Sequence, residues 1–189
     1  FHSVALHLLR SKLPIEDLGY TKGFLVIEPE EELDIAMQLI EEEKLVIRYK
    51  NRLKKRLEQA AAGQVTENNS RIQDDIFKLL KLLKEEKVKQ NKMSFSDLLE
   101  KTNQLLEASG MEAKWIIIDE VQDCDKMQLD FIEKFMNGET RLFAVGDPNQ
   151  IIYSWRGSTW NVFYVLKEKY QAKELSLPIN YRSSSSILE

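Results

Sequence analysis

The amino-acid sequence predicts an α/β fold, a mostly parallel sheet flanked by helices, with an inserted and mostly helical subdomain. Three observations carry this prediction. Short apolar runs, Trp115–Ile118 and Leu142–Val145, alternate with amphipathic helical stretches, as buried strands do in a sheet with helices outside it. Each run ends abruptly in polar groups: Asp119-Glu120-Val121-Gln122-Asp123 after the first, Gly146-Asp147-Pro148-Asn149-Gln150 after the second. Between about residues 14 and 92 a series of amphipathic helical patterns reads as a small, separately packed lobe.

Taken in order, Val4, Leu6, Leu8 and Leu9 predict a short apolar helix over residues 1–10, stopped near Pro14. Residues 24–27 suit a short strand or an extended entry. A helix is expected from about Glu30 to Glu43, with Leu33, Met37 and Ile40 on one side and acidic residues at the start, where they suit the helix dipole. Tyr49, Leu53 and Leu57 stripe the next helix, Lys50 and Lys54 share another of its faces, and Gly63 marks its end. Gln64 to Asn69 reads as a polar linker. Ser70 then caps a helix aligned on Ile72, Ile76, Leu79 and Leu83. Ser94-Phe95-Ser96-Asp97 starts a helix carrying Leu98, Leu99, Leu105 and Leu106, and either serine could cap it. Gly110 ends that element. After the strand at 115–118, a helix presents Leu129, Ile132 and Phe135 or Met136 to the sheet. Trp160 to Lys169 is expected to be helical, and Glu174 to Leu177 to form a third strand.

At 189 residues and 43% apolar, the chain can bury one good core and carry a smaller lobe. With 27 basic against 31 acidic residues, bulk charge does not announce a nucleic-acid binder. The arrangement says more. One basic cluster runs from Lys44 to Arg56, and a second comprises Lys78, Lys81, Lys84, Lys87, Lys89 and Lys92. Such patches bind phosphate backbone or simply form solvated helix faces. Cys124 is the single cysteine, set between Asp123 and Asp125, which excludes an intrachain disulfide and disfavours a thiolate. His2 and His7 have no obvious metal-ligand companion. Without a bilayer-length apolar stretch or a signal-peptide pattern, a soluble cytoplasmic protein is expected. A chain opening in Phe1-His2-Ser3, inside a plausible helix, is expected to be cut from something longer.

The polar strand ends are the candidate chemistry. Asp119 is placed to bind Mg²⁺, directly or through water, and Glu120 to activate a water that attacks a terminal phosphorus. Taken alone, Ile-Ile-Asp-Glu equally suits a solvent-facing acidic turn; Gln122 and Asp123 add polar groups just beyond the pair. Gln150 could read a γ-phosphate or an attacking water by hydrogen bond, and Asp147 could tie its loop to the metal shell, or either could cap a turn. Arg182, in Asn180-Tyr181-Arg182-Ser183, could neutralise charge on a transferring phosphoryl group or merely solvate the sheet edge. Trp155, between Tyr153 and Arg156, could stack on bases or fill an interdomain core. No G-x-x-x-x-G-K-[ST] loop is present, so a triphosphate cradle is expected outside these residues.

At these residues the chain resembles the superfamily 1 DNA helicases of the UvrD/Rep/PcrA type. Phe1 to Arg10 is similar to their Thr-Phe-His-Ser motif and the helix after it. Ser94 to Leu99 resembles the segment re-entering the first motor domain, Asp119 to Asp123 their motif II, Gly146 to Gly157 motif III, and Asn180 to Ser183 motif IV. The resemblance implies a partial RecA-like sheet. It divides the chain into residues 1–13, the first segment of motor domain 1A; 14–92, a helical 1B-like insertion; and 93–189, the remainder of 1A.

It implies ATP and Mg²⁺ as cofactors, with Asp119 holding the metal and Glu120 as catalytic base. Gln150 would sense the γ-phosphate, Arg182 contact it across the motor cleft, and Tyr181 lie near the adenine. Phe1, His2, Tyr153, Trp155 and Arg156 would contact single-stranded DNA, and the 1B lobe, with Lys50 and Lys54, a duplex junction. The parent would be a 3′–5′ DNA helicase of repair or recombination. Its phosphate-loop segment and second motor domain would lie elsewhere, leaving these residues alone nearly inactive. Ile151 and Ser154 depart from the usual motif III, and Pro148-Asn149 resembles the AddA and RecB helicase-nuclease branch. Two alternatives follow: the motor module of such a helicase-nuclease, or a degenerate DNA-binding scaffold.

Overall fold

The computed structural model describes residues 1–47, 50–61, 70–150, 162–177 and 179. The expected roles of Tyr49, Gly63, the 64–69 linker, Tyr153, Trp155, Arg156, Tyr181 and Arg182 lie outside the described residues, as do those of the Ser70 and Ile72 side chains.

Helix α1 (His2–Ser11) buries Ala5, Leu8 and Leu9. Its core partner is α5 (Phe95–Leu106), which buries Leu98, Leu99, Leu105 and Leu106. Ser94 rather than Ser96 starts α5: Asp97 Oδ2 accepts from Ser94 N (2.8 Å) and from the Ser94 hydroxyl (3.0 Å). Leu13, Ile15, Tyr20 and Phe24 join this same core, so the chain leaves it only after Phe24.

A second core is built from residues 27–83. Helix α2 (Pro29–Glu42) contributes Ile35, Ala36, Leu39 and Ile40, with Leu33 and Met37 at its margin. Helix α3 (Leu53–Ala61) contributes Leu53, Leu57 and Ala60, and α4 (Ser70–Lys89) contributes Ile76, Leu79 and Leu83. Of the predicted Leu33–Met37–Ile40 stripe only Ile40 is fully buried, and Ile35, Ala36 and Leu39 complete the buried face.

The two cores meet where the chain enters and leaves the helical part. Strands β1 (Leu25–Val26) and β2 (Lys92–Met93) pair in parallel there, Leu25 opposite Lys92 and Val26 opposite Met93. Asn91, in left-handed backbone at φ 53°, accepts from Thr21 N (2.9 Å) and donates to the Thr21 hydroxyl (2.7 Å). Beneath the pair, Lys87 of α4 bonds both Glu32 of α2 (2.5 Å) and Asp97 of α5 (2.6 Å). The Lys87 and Asp97 side chains are only 5% and 6% exposed. Burial opposes the Lys87 ammonium, yet the Asp97 and Glu32 carboxylates outweigh it and hold its pKa above the ordinary lysine value.

The third core lies under strands β3 (Trp115–Ile118) and β4 (Arg141–Ala144), parallel and in register from Trp115–Arg141 to Ile118–Ala144. Helix α6 (Lys126–Glu133) packs Leu129 and Ile132 against it, and α7 (Val162–Tyr170) packs Val162 and Leu166. A capping box fixes the start of α6: Asp125 Oδ1 accepts from Gln128 N (2.8 Å), and Gln128 Oε1 accepts from Asp125 N (2.9 Å).

Two expectations need correction. Residues 174–177 form no strand; no described strand pairs with them, and Leu177 is 88% exposed. Nor are β3 and β4 buried on both faces. Trp115, Ile117 and Phe143 are 61%, 73% and 53% exposed, while Ile118 is buried, so this pair covers only one side. Arg141 stacks its guanidinium over the Trp115 ring at 5.2 Å, shielding part of that open face. The described residues are of the α/β class, largely helical with two small parallel sheets among them.

Candidate active site

The acidic turn follows from how β3 ends. Val145 N donates to Ile118 O (2.8 Å) and Val121 N to Val145 O (2.9 Å), so the chain folds across the end of β4 at once. Glu120 takes left-handed backbone, φ 51°, a conformation uncommon for a side chain of its type and one that turns the chain sharply here. Its N–H donates to Asp119 Oδ1 (3.0 Å). Buried Val121 then anchors one turn of 3₁₀ helix, Val121–Asp123. Asp119 and Glu120 are thereby left exposed at the carboxyl edge of a parallel pair, where open α/β sheets place their ligands.

The β4 loop docks against that turn. A Cβ on Gly146 would stand 2.4 Å from Gln122 Oε1 and 2.9 Å from Val121 Cγ1, so only glycine lets the two loops approach so closely. Gln122 spans the junction: its Nε2 donates to Glu120 Oε2 (2.6 Å), and its Oε1 accepts from Asp147 N (3.1 Å). Asp147 in turn organises the loop beyond it, accepting from Asn149 N (2.9 Å) and from Gln150 Nε2 (2.9 Å). Glu120, Gln122, Asp147 and Gln150 thus form one continuous hydrogen-bonded row. Asp119, Glu120 and Gln150 come to one edge; Arg182 and Tyr181 lie outside the described residues.

The donor set suits a hard cation. Asp119 offers carboxylate oxygen, of which, among the described residues, only Oδ1 is engaged, by one backbone N–H. Among the described residues no three His, Cys, Asp or Glu side chains are spaced to hold an ion, so an Mg²⁺ on Asp119 would complete its shell with phosphate oxygens and water. Cys124 takes no part: burial first, then Asp125, push its thiol up to about 11, and it packs in the third core.

At the start of α1, Phe1 sets its ring edge-on to Phe131 (6.2 Å) and His2 to Phe95 (5.7 Å). Burial, the largest influence, lowers the His2 pKa, which favours the neutral ring. Phe95 is exposed beside it. The sequence places Phe95 at the opening of a helix and in the Ser94–Leu99 segment that resembles the re-entry into the first motor domain, and assigns it no contact of its own.

The two basic clusters part company in the structure. In the second, Lys78 pairs with Glu43, Lys81 with Glu85, Lys84 with Glu100, Lys89 with Glu86 and Lys92 with Glu31, and Lys87 is buried. In the first, Lys50, Arg52, Lys54 and Lys55 are exposed, and no carboxylate among the described residues pairs with them. Among the described residues, no helix is long and apolar enough to cross a membrane.

Comparison with known proteins gives the same direction. Residues 1–171 match the model of the UvrD/REP helicase N-terminal domain. The chain is 37% identical over 106 residues to a probable DNA helicase of Mycoplasma pneumoniae, covering 52% of this chain and 20% of that protein. Across its whole length it is 26% identical to the ATP-dependent DNA helicase Rep of Buchnera aphidicola subsp. Baizongia pistaciae, covering 30% of that protein. It is likewise 27% identical to the DNA helicase II of Haemophilus influenzae, covering 28% of it. The chain thus spans under a third of the length of these relatives. With a family model matching nearly all of it and the acidic and amide strand ends joined at one edge, the chain belongs to the UvrD/REP helicase N-terminal domain family.

Proposed function

We propose that the parent protein is an ATP-dependent 3′–5′ DNA helicase, coupling ATP hydrolysis to single-strand translocation and duplex unwinding. The observation that carries this reading is the hydrogen-bonded row from Glu120 through Gln122 and Asp147 to Gln150, at the edge where a parallel sheet delivers polar groups. We assign residues 1–13 and 93–189 to motor domain 1A and residues 14–92 to a 1B-like insertion, whose own core is built from residues 27–83, while Ile15, Tyr20 and Phe24 at its entry still pack in the first core. These 189 residues alone have little or no activity in this reading, because a phosphate cradle and an opposing motor domain come from the rest of the parent.

Within that scheme Asp119 holds Mg²⁺, which when bound neutralises charge on the phosphate oxygens. Glu120 orients a water by hydrogen bond and takes its proton, through Oε1, the oxygen Gln122 leaves free. Gln150 keeps one amide N–H on Asp147 and has the other for the γ-phosphate. Arg182 contacts that phosphate across the cleft, and Tyr181 lies against the adenine. Phe1, His2, Tyr153, Trp155 and Arg156 form the single-strand path, and the exposed Phe95 ring beside His2 extends it. The test is strand displacement by the intact parent on a duplex with one single-stranded tail. Unwinding with ATP on a 3′ tail and none on a 5′ tail is expected; ATP-independent DNA binding with no displacement on either sinks the proposal.

Lys50 and Lys54 are the proposed contacts to a duplex junction, a choice supported by their having no ion pair among the described residues, where the second cluster is paired with carboxylates. Replacing both by glutamine in the parent should lower junction affinity and reduce the slope of log affinity against log salt by roughly two. An unchanged slope in a salt titration returns them to the role of a solvated face.

A further inference from the structure

We propose that Gln122 is a positioning residue that fixes the aim of Glu120 and locks it to the Asp147–Gln150 loop, so that the base and the phosphate-reading loop move as one body. This rests on the assignment of Glu120 as base.

The side-chain amide is oriented from both sides. Its N–H₂ end meets a carboxylate and its oxygen meets a backbone N–H, so the reversed orientation would place oxygen against oxygen and hydrogen against hydrogen. Glu120 needs such a restraint. Its left-handed backbone throws the side chain out at an exposed edge, where the described structure gives its carboxylate Gln122 alone as a side-chain partner. The junction has been cleared for this amide as well: Gly146 lacks the Cβ that would collide with Gln122 Oε1. Few side chains do both jobs. Glutamate keeps the acceptor for Asp147 N–H but sets a second negative charge against Glu120. Methionine keeps the length and loses both bonds. Asparagine is a methylene short of spanning the gap.

A tie that only stabilised the fold would leave turnover intact in any variant that folds. A positioning tie would spare ATP binding and slow the step in which Glu120 acts, on the scale of the about 10- to 100-fold by which hydrogen-bonded partners that orient metal ligands matter. The experiment uses the intact parent carrying Gln122→Met or Gln122→Glu, beside Glu120→Gln. ATP KM and kcat are measured at saturating single-stranded DNA, and amide hydrogen exchange over residues 143–150 is followed without nucleotide. For Gln122→Met the expected result is a KM within about threefold of wild type, kcat lowered about 10- to 100-fold, and faster exchange at Asp147. Gln122→Glu should protect Asp147 more than Gln122→Met does, while lowering kcat at least as far. This split follows from the donor and acceptor ends acting separately, and loss of stability alone does not produce it.

Unchanged kcat in Gln122→Met, or a fall in kcat matched by an equal loss of ATP affinity in both variants, overturns the proposal. If Glu120→Gln hydrolyses normally, the base assignment fails and takes this inference with it. An inactive Glu120→Gln beside a fully active Gln122→Met removes Gln122 alone.

Discussion

Glu120→Gln in the intact parent should bind Mg²⁺-ATP normally and hydrolyse it roughly 10²- to 10⁴-fold more slowly in a single turnover. The amide retains the size and shape of the carboxylate, so it stays at the end of β3 and keeps a hydrogen bond to Gln122, whose own amide has an oxygen and two N–H groups to offer. What it loses is the ability to accept a proton from water. Because the neighbouring Asp119 is untouched, metal-dependent nucleotide binding should persist, whereas Asp119→Asn should weaken binding itself. Filter binding of labelled ATP alongside rapid-quench hydrolysis separates these outcomes. Hydrolysis at the wild-type rate would show that some other group handles the proton.

Lys87→Met carries the largest expected effect on stability, about 3 kcal/mol, at the lower end of the range for breaking a buried ion pair by removing one partner. Methionine preserves the length of the stem and leaves two carboxylates facing a gap. Glu32 is a quarter exposed and regains water, which tempers the loss. Asp97 cannot, and is left with the Ser94 N–H and hydroxyl as its compensation. Adding Asp97→Asn should therefore restore part of the deficit by removing the stranded charge, a non-additivity readable from denaturant midpoints of the four proteins of a double-mutant cycle. A single-mutant cost below about 1 kcal/mol would place Lys87 among ordinary surface pairs.

Local pattern made most of the helices legible. Ile76, Leu79 and Leu83 recur at helical spacing and do line the second core, and Leu98, Leu99, Leu105 and Leu106 do the same for the first. The strand at 115–118 was read to the residue, since its apolar run stops where the acidic turn begins. Long-range pairing was not legible. Lys92–Met93 is a strand only because Leu25–Val26 lies beside it, and nothing in two residues announces a partner so far along the chain. The expected strand at 174–177 had the composition but found no described neighbour.

The polar side shows the same division. Asp119, Glu120 and Gln150 stood out as groups at strand ends, while the tie made by Gln122 depends on a loop that sequence separates from it. The lysines at 78, 84 and 92 looked like one basic patch with their neighbours because their neutralising partners, Glu43, Glu100 and Glu31, come from other elements.

The pairing of β1 with β2 has a bearing on how readily the helical lobe could be exchanged. Both crossings run side by side, with the spacing of adjacent strands, a narrow base that the Lys87–Asp97 and Lys84–Glu100 pairs tie further to α5. Such a base tolerates cargo of very different length, provided the ends return to it. Its direction sets the terms: the two strands are parallel, so the simple tight turn that closes an antiparallel hairpin cannot replace the lobe. A graft must carry the chain from the far end of Val26 back to the near end of Lys92, a crossover of about a dozen residues or more. Cassette exchange at this base therefore favours small helical units over short loops.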